Sequence, residues 1–195
     1  MSLLNVNTIE PSTGTDITLG ASGDTITVPS GATISNAGTA TGFGVAGTNS
    51  FLARNTANQS LSDATDTKVV FNTEDYDPDG VFDLSNNKFT APAAGKYFIY
   101  GKAKGSSSTV NTVQGAVMLI YVNGSAKYNI ENFGAGIVSG TRVLMQAYGL
   151  EVSLGLDLSA SDYVELYAAV DNDGGSSQLQ AGDGYSIFFG GYRIA

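Results

Sequence analysis

One short run, residues 97–100, constrains this chain more than any other, because it is apolar on both faces of a strand. It follows a corner that contains Pro and Gly, within the stretch 89–100. Side chains alternate along a strand, so Tyr97 and Ile99 share one face and Phe98 and Tyr100 the other. An antiparallel strand with one solvated face would alternate apolar with polar residues. We therefore expect these four residues to lie in a sandwich core or at a subunit interface.

The composition excludes several classes of function. The 195 residues carry a net charge of −9, which disfavours a nucleic-acid partner. The chain has neither cysteine nor histidine, so it has no disulfide, no thiolate nucleophile and none of the usual catalytic triads or zinc sites. No apolar run is long enough to span a membrane. We therefore predict no cofactor, with calcium as the one metal worth testing.

The chain divides into regions of different character. Residues 1–34 contain a weak repeat of short apolar stretches that start at Ile17, Ile26 and Ile34, which lie 9 and then 8 residues apart. This pattern predicts short strands that need identical strands from neighbouring chains, because so short a segment cannot bury a core alone. A flexible Thr-rich tail is the alternative. Residues 35–50 are small and unpatterned and are predicted to be a linker.

Residues 51–195 are predicted to be an all-β domain. Short apolar runs follow one another with turn residues between them, and no helical period is present. Asn123-Gly124 after a long apolar run is a strong hairpin signal, and residues 85–87 form a turn in which Asn tolerates the left-handed conformation. Many short strands separated by such turns indicate a β-sandwich.

The order of these motifs resembles a known family, the globular head of the first complement component, whose jelly roll is shared with the tumour necrosis factor superfamily. The resemblance covers residues 51–195, with Asn87 where that family favours glycine. It is carried by six stretches in the family's order: 51–54, 68–71, 82–89, 89–98, 156–164 and 188–192. It implies a jelly-roll sandwich of about ten strands, a compact homotrimer, and recognition rather than catalysis.

A second, looser resemblance concerns residues 16–34, which are similar to short β repeats in fibre and tail proteins of tailed bacteriophages. The chain departs from animal members of the complement family, because no collagen-like stalk precedes the head and cysteine is absent. Both departures favour a microbial or viral source, and the leading hypothesis is a virion protein exposed on the particle surface. Its amino-terminal segment would then contact other capsid or tail proteins.

Residues 75–80 have the spacing of a calcium loop, with Asp75, Asp77 and Asp79 as candidate ligands. The twelfth position is Asn86 rather than the bidentate Glu, and strands flank the loop. The alternative is an acidic, solvated hairpin tip, which Asp, Pro and Gly favour.

Three functions compete. The first is a non-enzymatic bacteriophage structural protein that forms a trimeric knob, fibre tip or capsid decoration and binds a receptor or glycan on the host surface. The second is a soluble or surface lectin-like binding protein of a bacterium. The third is a glycan-cleaving tail-spike enzyme that uses two carboxylates. The 10 Tyr residues and the loops 105–109 and 174–178, which are rich in Ser and Gly, have the composition of a binding surface. The alternative is that the tyrosines lie at strand edges and subunit contacts.

Overall fold

A computed structural model describes residues 9–11, 13–35, 49–134, 136–138, 141–182 and 184–194. The chain divides into two units, residues 1–44 and 45–195, and the division falls within the predicted linker. No helix in these described ranges is long and apolar enough to cross a membrane. The strands of the described residues lie in the second unit, the head: β1 (Ser50–Arg54), β2 (Gln59–Ser60), β3 (Thr67–Lys68), β4 (Thr73–Tyr76), β5 (Phe82–Asp83), β6 (Lys88–Thr90), β7 (Gly95–Ser107), β8 (Val113–Val122), β9 (Ser125–Gly134), β10 (Gly136–Val138), β11 (Thr141–Val143), β12 (Ala147–Leu158), β13 (Tyr163–Asn172), β14 (Ser177–Leu179) and β15 (Phe188–Arg193).

The amino-terminal segment has turns where the sequence predicts them. The Ala21 carbonyl accepts a hydrogen bond from the Asp24 amide at 3.0 Å, and the Pro29 carbonyl accepts one from the Ala32 amide at 3.0 Å. The predicted strands are absent from residues 9–11 and 13–35 of this single chain, because their backbone groups have no neighbouring strand to bond. Their pairing with other copies stays a prediction.

The first sheet of the head is built around the long strand β7. Strand β12 pairs with it along one edge from Gly95 to Ser106, while β15 and β14 share the other edge. Strand β1 continues the sheet beyond β15 and is followed by β4, and β2 lies beyond β14. All these pairings are antiparallel.

The second sheet is built around β13. Strand β8 lies on one edge and is followed by β9, while β6 and β3 share the other edge and β5 pairs with β6. In the part of the chain that the structure describes, the sheets contain seven and six strands, and β10 and β11 form a separate two-stranded ribbon. The count exceeds the predicted ten or so because β2, β3 and β5 are two-residue strands with no sequence pattern of their own.

The core between the sheets is strongly aromatic at one end. The Phe51 ring is stacked against both Phe82 and Phe89 with centroids 5.0 Å apart, and Phe189 meets Phe51 edge-on at 5.1 Å. All four side chains are buried. Each contributes roughly 1.5–3 kcal/mol by burial, with a further increment from the ring geometry. These contacts join β1 and β15 of the first sheet to β5 and β6 of the second.

Two predicted turns are confirmed and explain how the strands reverse. Asn123 and Gly124 have φ values of 52° and 75° and join β8 to β9, the two-residue hairpin geometry that matches strand twist. Asn87 has φ 52°, and its side-chain oxygen accepts a hydrogen bond from the Phe71 amide at 2.6 Å. The turn residue therefore also ties the 69–72 segment to the sandwich.

Candidate interaction surface

Strand β7 presents one pair of its apolar residues to the core and the other pair outward. Tyr97 and Ile99 are fully buried in the core, and the Tyr97 hydroxyl donates to the Ala93 carbonyl at 2.7 Å. Phe98 and Tyr100 lie on the opposite, outer face of the first sheet and are only partly buried. The assignment of the two pairs, which the sequence leaves open, is thus settled within one head.

The outer residues belong to a continuous cluster of rings that we call the aromatic face, made of Tyr76, Phe98, Tyr100, Phe188 and Tyr192. Tyr192 is the strand partner of Phe98, and their centroids are 5.6 Å apart. Tyr100 lies 6.2 Å from Phe98 and 6.3 Å from Phe188. Tyr76 and Tyr192 are each 45% exposed. Three strands, β4, β7 and β15, therefore contribute to one apolar surface.

A glycine makes room for the centre of this face. Gly190 is the strand partner of Tyr100, and a Cβ built on it would lie 2.5 Å from the Tyr100 Cζ and hydroxyl oxygen. The Tyr100 ring thus lies flat over the backbone of β15. Any larger residue at 190 would force the ring away, so the shape of the face depends on this glycine.

Tyr100 is also held at its hydroxyl end. Its oxygen lies 3.4 Å from the Tyr76 hydroxyl oxygen, within reach of a hydrogen bond. Burial raises the pKa of Tyr100 well above its ordinary value, and the hydrogen bond with Tyr76 raises it further. The folded protein therefore keeps this hydroxyl neutral over a wider range of pH than a free tyrosine.

A cavity of about 290 Å³ lies at the margin of the aromatic face, lined by Leu52, Arg54, Asp75, Tyr100, Tyr185 and Phe188. Arg54 Nε donates to Asp75 Oδ1 at 2.6 Å, and the guanidinium carbon lies 5.2 Å from the centre of the Tyr185 ring. The hydrogen bond and the charge of Asp75 raise the pKa of Arg54, although partial burial opposes them. An ion pair thus borders an otherwise apolar depression.

The structure does not bring the three calcium candidates together. Asp75 is paired with Arg54, and Asp79 accepts from the Asn49 side-chain amide at 3.3 Å. Asp77 accepts from the Val81 and Phe82 amides at 2.9 and 2.8 Å, which makes it the cap of this turn. Within the part of the chain that the structure describes, no three acidic, His or Cys side chains could hold a metal ion together. The geometry therefore assigns each of the three carboxylates another partner.

The two loops rich in Ser and Gly do meet. The Ser108 amide donates to the Ser176 carbonyl at 3.0 Å, and the Ser176 amide donates to Ser108 Oγ at 2.8 Å. Ser107 Oγ donates to the Gly174 carbonyl at 3.0 Å. Because loops 105–109 and 174–178 come from distant parts of the sequence, only the fold could reveal that they form one polar rim.

Comparison with known proteins identifies the architecture. No protein-family model matches the chain, and no curated protein does. Among solved structures, the globular domain of zebrafish complement 1qA protein covers 75% of this chain and 97% of its own, with a TM-score of 0.53 and 14% sequence identity. The head has the fold of that complement domain. The resemblance predicted for residues 51–195 is confirmed at the level of the fold, whereas the resemblance of residues 16–34 to phage fibre repeats stays a prediction.

Proposed function

We propose that this protein is a non-enzymatic recognition module whose heads associate as a homotrimer through the aromatic face. The observation that carries the proposal is the outward cluster of Phe98, Tyr100, Phe188 and Tyr192, supplied by the two adjacent strands β7 and β15. Aromatic side chains are enriched at protein interfaces, and a continuous apolar patch on a soluble head marks an interaction site. The shared fold with a complement globular domain supports a self-associating head.

The amino-terminal segment supplies an independent reason for association between copies. It repeats a unit in which a glycine with positive φ precedes an isoleucine by three residues: Gly14 and Ile17, Gly23 and Ile26, Gly31 and Ile34. Each of these isoleucines is between 42% and 63% exposed. Glycines of this kind turn the chain at regular intervals, and the exposed side chains then recur on corresponding positions. Identical segments from two other copies would bury them and supply the missing strand partners.

Sedimentation equilibrium tests the trimer. The wild-type protein is expected to be trimeric at micromolar concentration, and Tyr192→Glu is expected to dissociate it, because a buried carboxylate in the aromatic face would be desolvated. Val110→Glu is the matched control, since Val110 is an exposed apolar residue outside that face. A monomeric wild type, or a Tyr192→Glu variant that assembles like Val110→Glu, would contradict the proposed interface.

We further propose that this recognition module is located on the surface of a bacteriophage particle. Its amino-terminal segment contacts capsid or tail proteins, and its heads form a knob, fibre tip or decoration. The resemblance of residues 16–34 to fibre repeats supports this setting. Immunogold labelling of purified particles with antibody against the head tests it. Particles that carry no label and yield no peptide of this protein by mass spectrometry would refute the virion location.

A lectin-like protein of a bacterium is the second candidate, favoured by the polar rim formed by loops 105–109 and 174–178. A glycan array separates the candidates. Tight binding to many sugars by a protein absent from particles favours the bacterial lectin, whereas narrow binding by a particle-borne protein favours the virion knob.

A further inference from the structure

A polar cavity of about 400 Å³ opens beside the rim, on the outer face of the first sheet. Its lining includes Lys104, Ser106, Ser108, Gln146, Gln178 and Gln180. Strand register places Ser106 between Gln178 of β14 and Ala147 of β12. Ser106 lies six positions after Tyr100 on β7, about 20 Å along an extended strand. The cavity is therefore distinct from the aromatic face.

The charge of this cavity is unusual for so acidic a protein. Its lining contains no carboxylate, although the chain as a whole carries a net charge of −9. Among the described residues, no salt bridge involves Lys104, whereas Lys102, two positions earlier on the same face, is paired with Glu151 at 3.2 Å. An ammonium group with no counter-ion in the described part of the head, lined by amides and hydroxyls, favours a ligand with a negative charge.

One buried group in the lining also lacks a partner. Ser106 is only 3% exposed, and its hydroxyl makes no hydrogen bond within the described part of the chain. Buried hydroxyls are almost always hydrogen-bonded, so an unpaired one that lines a cavity points to a group that binds there. Together with the three glutamine amides, it provides donors and acceptors of the kind that sugar hydroxyls pair with.

The rim is rigid enough to act as a preformed site. Gly175 has φ 82°, and a Cβ built on it would lie 2.6 Å from Thr109 Oγ1 and 2.8 Å from Ser107 Oγ. The two loops are therefore packed as closely as a glycine allows, and their hydrogen bonds fix the walls beside Ser108. A preorganised site loses less side-chain and loop entropy on binding.

We propose that this cavity binds a carboxylate-bearing sugar, such as a uronic acid unit of a surface polysaccharide. Lys104 would pair with the carboxylate, and the glutamine amides and Ser106 with the ring hydroxyls. The proposal rests on the recognition role proposed above and gives that role a ligand class. Its site lies within a single head, so it can be tested separately from the trimer.

The test is a titration of the full chain, labelled with ¹⁵N, with D-glucuronate and with D-glucose, followed by amide chemical shifts. The wild type is expected to bind glucuronate at millimolar concentration and glucose at least about tenfold more weakly, since an ion pair in a polar site contributes on the order of 1.4 kcal/mol. Lys104→Gln should lose about tenfold for glucuronate only, and binding should weaken with added salt. Lys102→Gln is the matched control and should leave both affinities unchanged.

Absence of glucuronate binding by the wild type would overturn the proposal. So would equal affinity for both sugars, or equal loss in Lys104→Gln and Lys102→Gln. Sedimentation of the same samples keeps the two proposals apart, because a trimer that binds no uronate refutes this site alone, and a monomer that binds it refutes the interface alone.

Discussion

Two neighbouring glycines of β15 test whether its core face stabilises the fold while its outward face stabilises the trimer. Gly190 faces outward under the Tyr100 ring, and Gly191 faces the core opposite Ile99. A Cβ at 191 would lie 2.7 Å from Ile99 Cδ1, 3.0 Å from the Phe98 carbonyl oxygen and 3.1 Å from Phe51 Cε1. We therefore expect one methyl group to have different effects at the two positions.

Gly191→Ala should weaken the fold. Overpacking a well-packed core costs about 1–3 kcal/mol, and the upper end applies here because one of the crowded atoms belongs to the backbone and cannot rotate away. For a domain of this size, about 3 kcal/mol corresponds to a fall in Tm of roughly 6–12 °C. Urea unfolding followed by circular dichroism at several protein concentrations measures the effect and separates it from association.

Gly190→Ala should spare the fold and weaken the trimer. The Tyr100 ring can rotate outward at a cost of about 0.5–1.5 kcal/mol, and alanine returns about 0.5–1 kcal/mol over glycine in a strand. Loss of the packed ring from the interface should cost about 2 kcal/mol, or roughly thirtyfold in association. Gly149→Ala is the control, since a Cβ at this exposed position meets nothing within 4 Å.

If Gly190→Ala and Gly191→Ala lower the free energy of unfolding by the same amount, the outward and inward faces of β15 are not energetically distinct. If Gly190→Ala assembles as tightly as Gly149→Ala, the Tyr100 ring does not contribute to the interface.

Three further outcomes follow from local geometry. Asn87→Ala should have a free energy of unfolding about 1 kcal/mol lower than Asn87→Gly, measured by urea unfolding. Both variants lose the hydrogen bond from the Phe71 amide, but only alanine is strained at φ 52°. Hydrogen bonds from Asn123 and from the Ser159 amide hold the pKa of Asp162 below its ordinary 3.8, so its stabilisation is present above that value and is lost as the pH falls through the lower folded-state pKa. Acid unfolding curves should therefore be steeper for the wild type than for Asp162→Asn, and equal slopes would contradict this. Because the pKa of Tyr100 is raised above the ordinary value of 10.0, its contribution to the free energy of unfolding is present below that pH and is lost as the pH rises above it. Tyr100→Phe should therefore lose less stability than the wild type between neutral and alkaline pH, as measured by urea unfolding.

The parts of the fold that the sequence predicts are those determined locally. Asn123-Gly124 and Asn87 require positive φ, and their turns form where the residue types indicate. The apolar strands around them follow from alternation alone. Of residues 68–71, by contrast, only Lys68 is strand, because the Val70 and Phe71 amides donate to the side-chain oxygens of Gln59 and Asn87 instead of to a neighbouring strand.

The site was harder to predict because it depends on contacts between distant residues. Sequence alternation identifies Phe98 and Tyr100 as sharing a face, but Tyr76 and Tyr192 join them only through the order of the strands. The polar cavity draws on segments near 104–108, 146–147 and 178–180, and no spacing rule connects them. The calcium site stays a prediction, and the spacing of its carboxylates does not show that Asp75 pairs with Arg54, 21 residues away.

The pairing of β1 with β15 has a consequence for how the head can be rebuilt. Ser50 lies opposite Tyr192, and the Arg193 amide donates to the Asn49 carbonyl at 3.1 Å, so the chain enters and leaves the head at adjacent points. Domains of this kind tolerate circular permutation and insertion into a loop of another protein. A short linker between residues 49 and 194, with new ends opened at the Asn123-Gly124 hairpin, would leave every strand of both sheets intact. The head is therefore suited to insertion into an unrelated carrier protein without its amino-terminal segment.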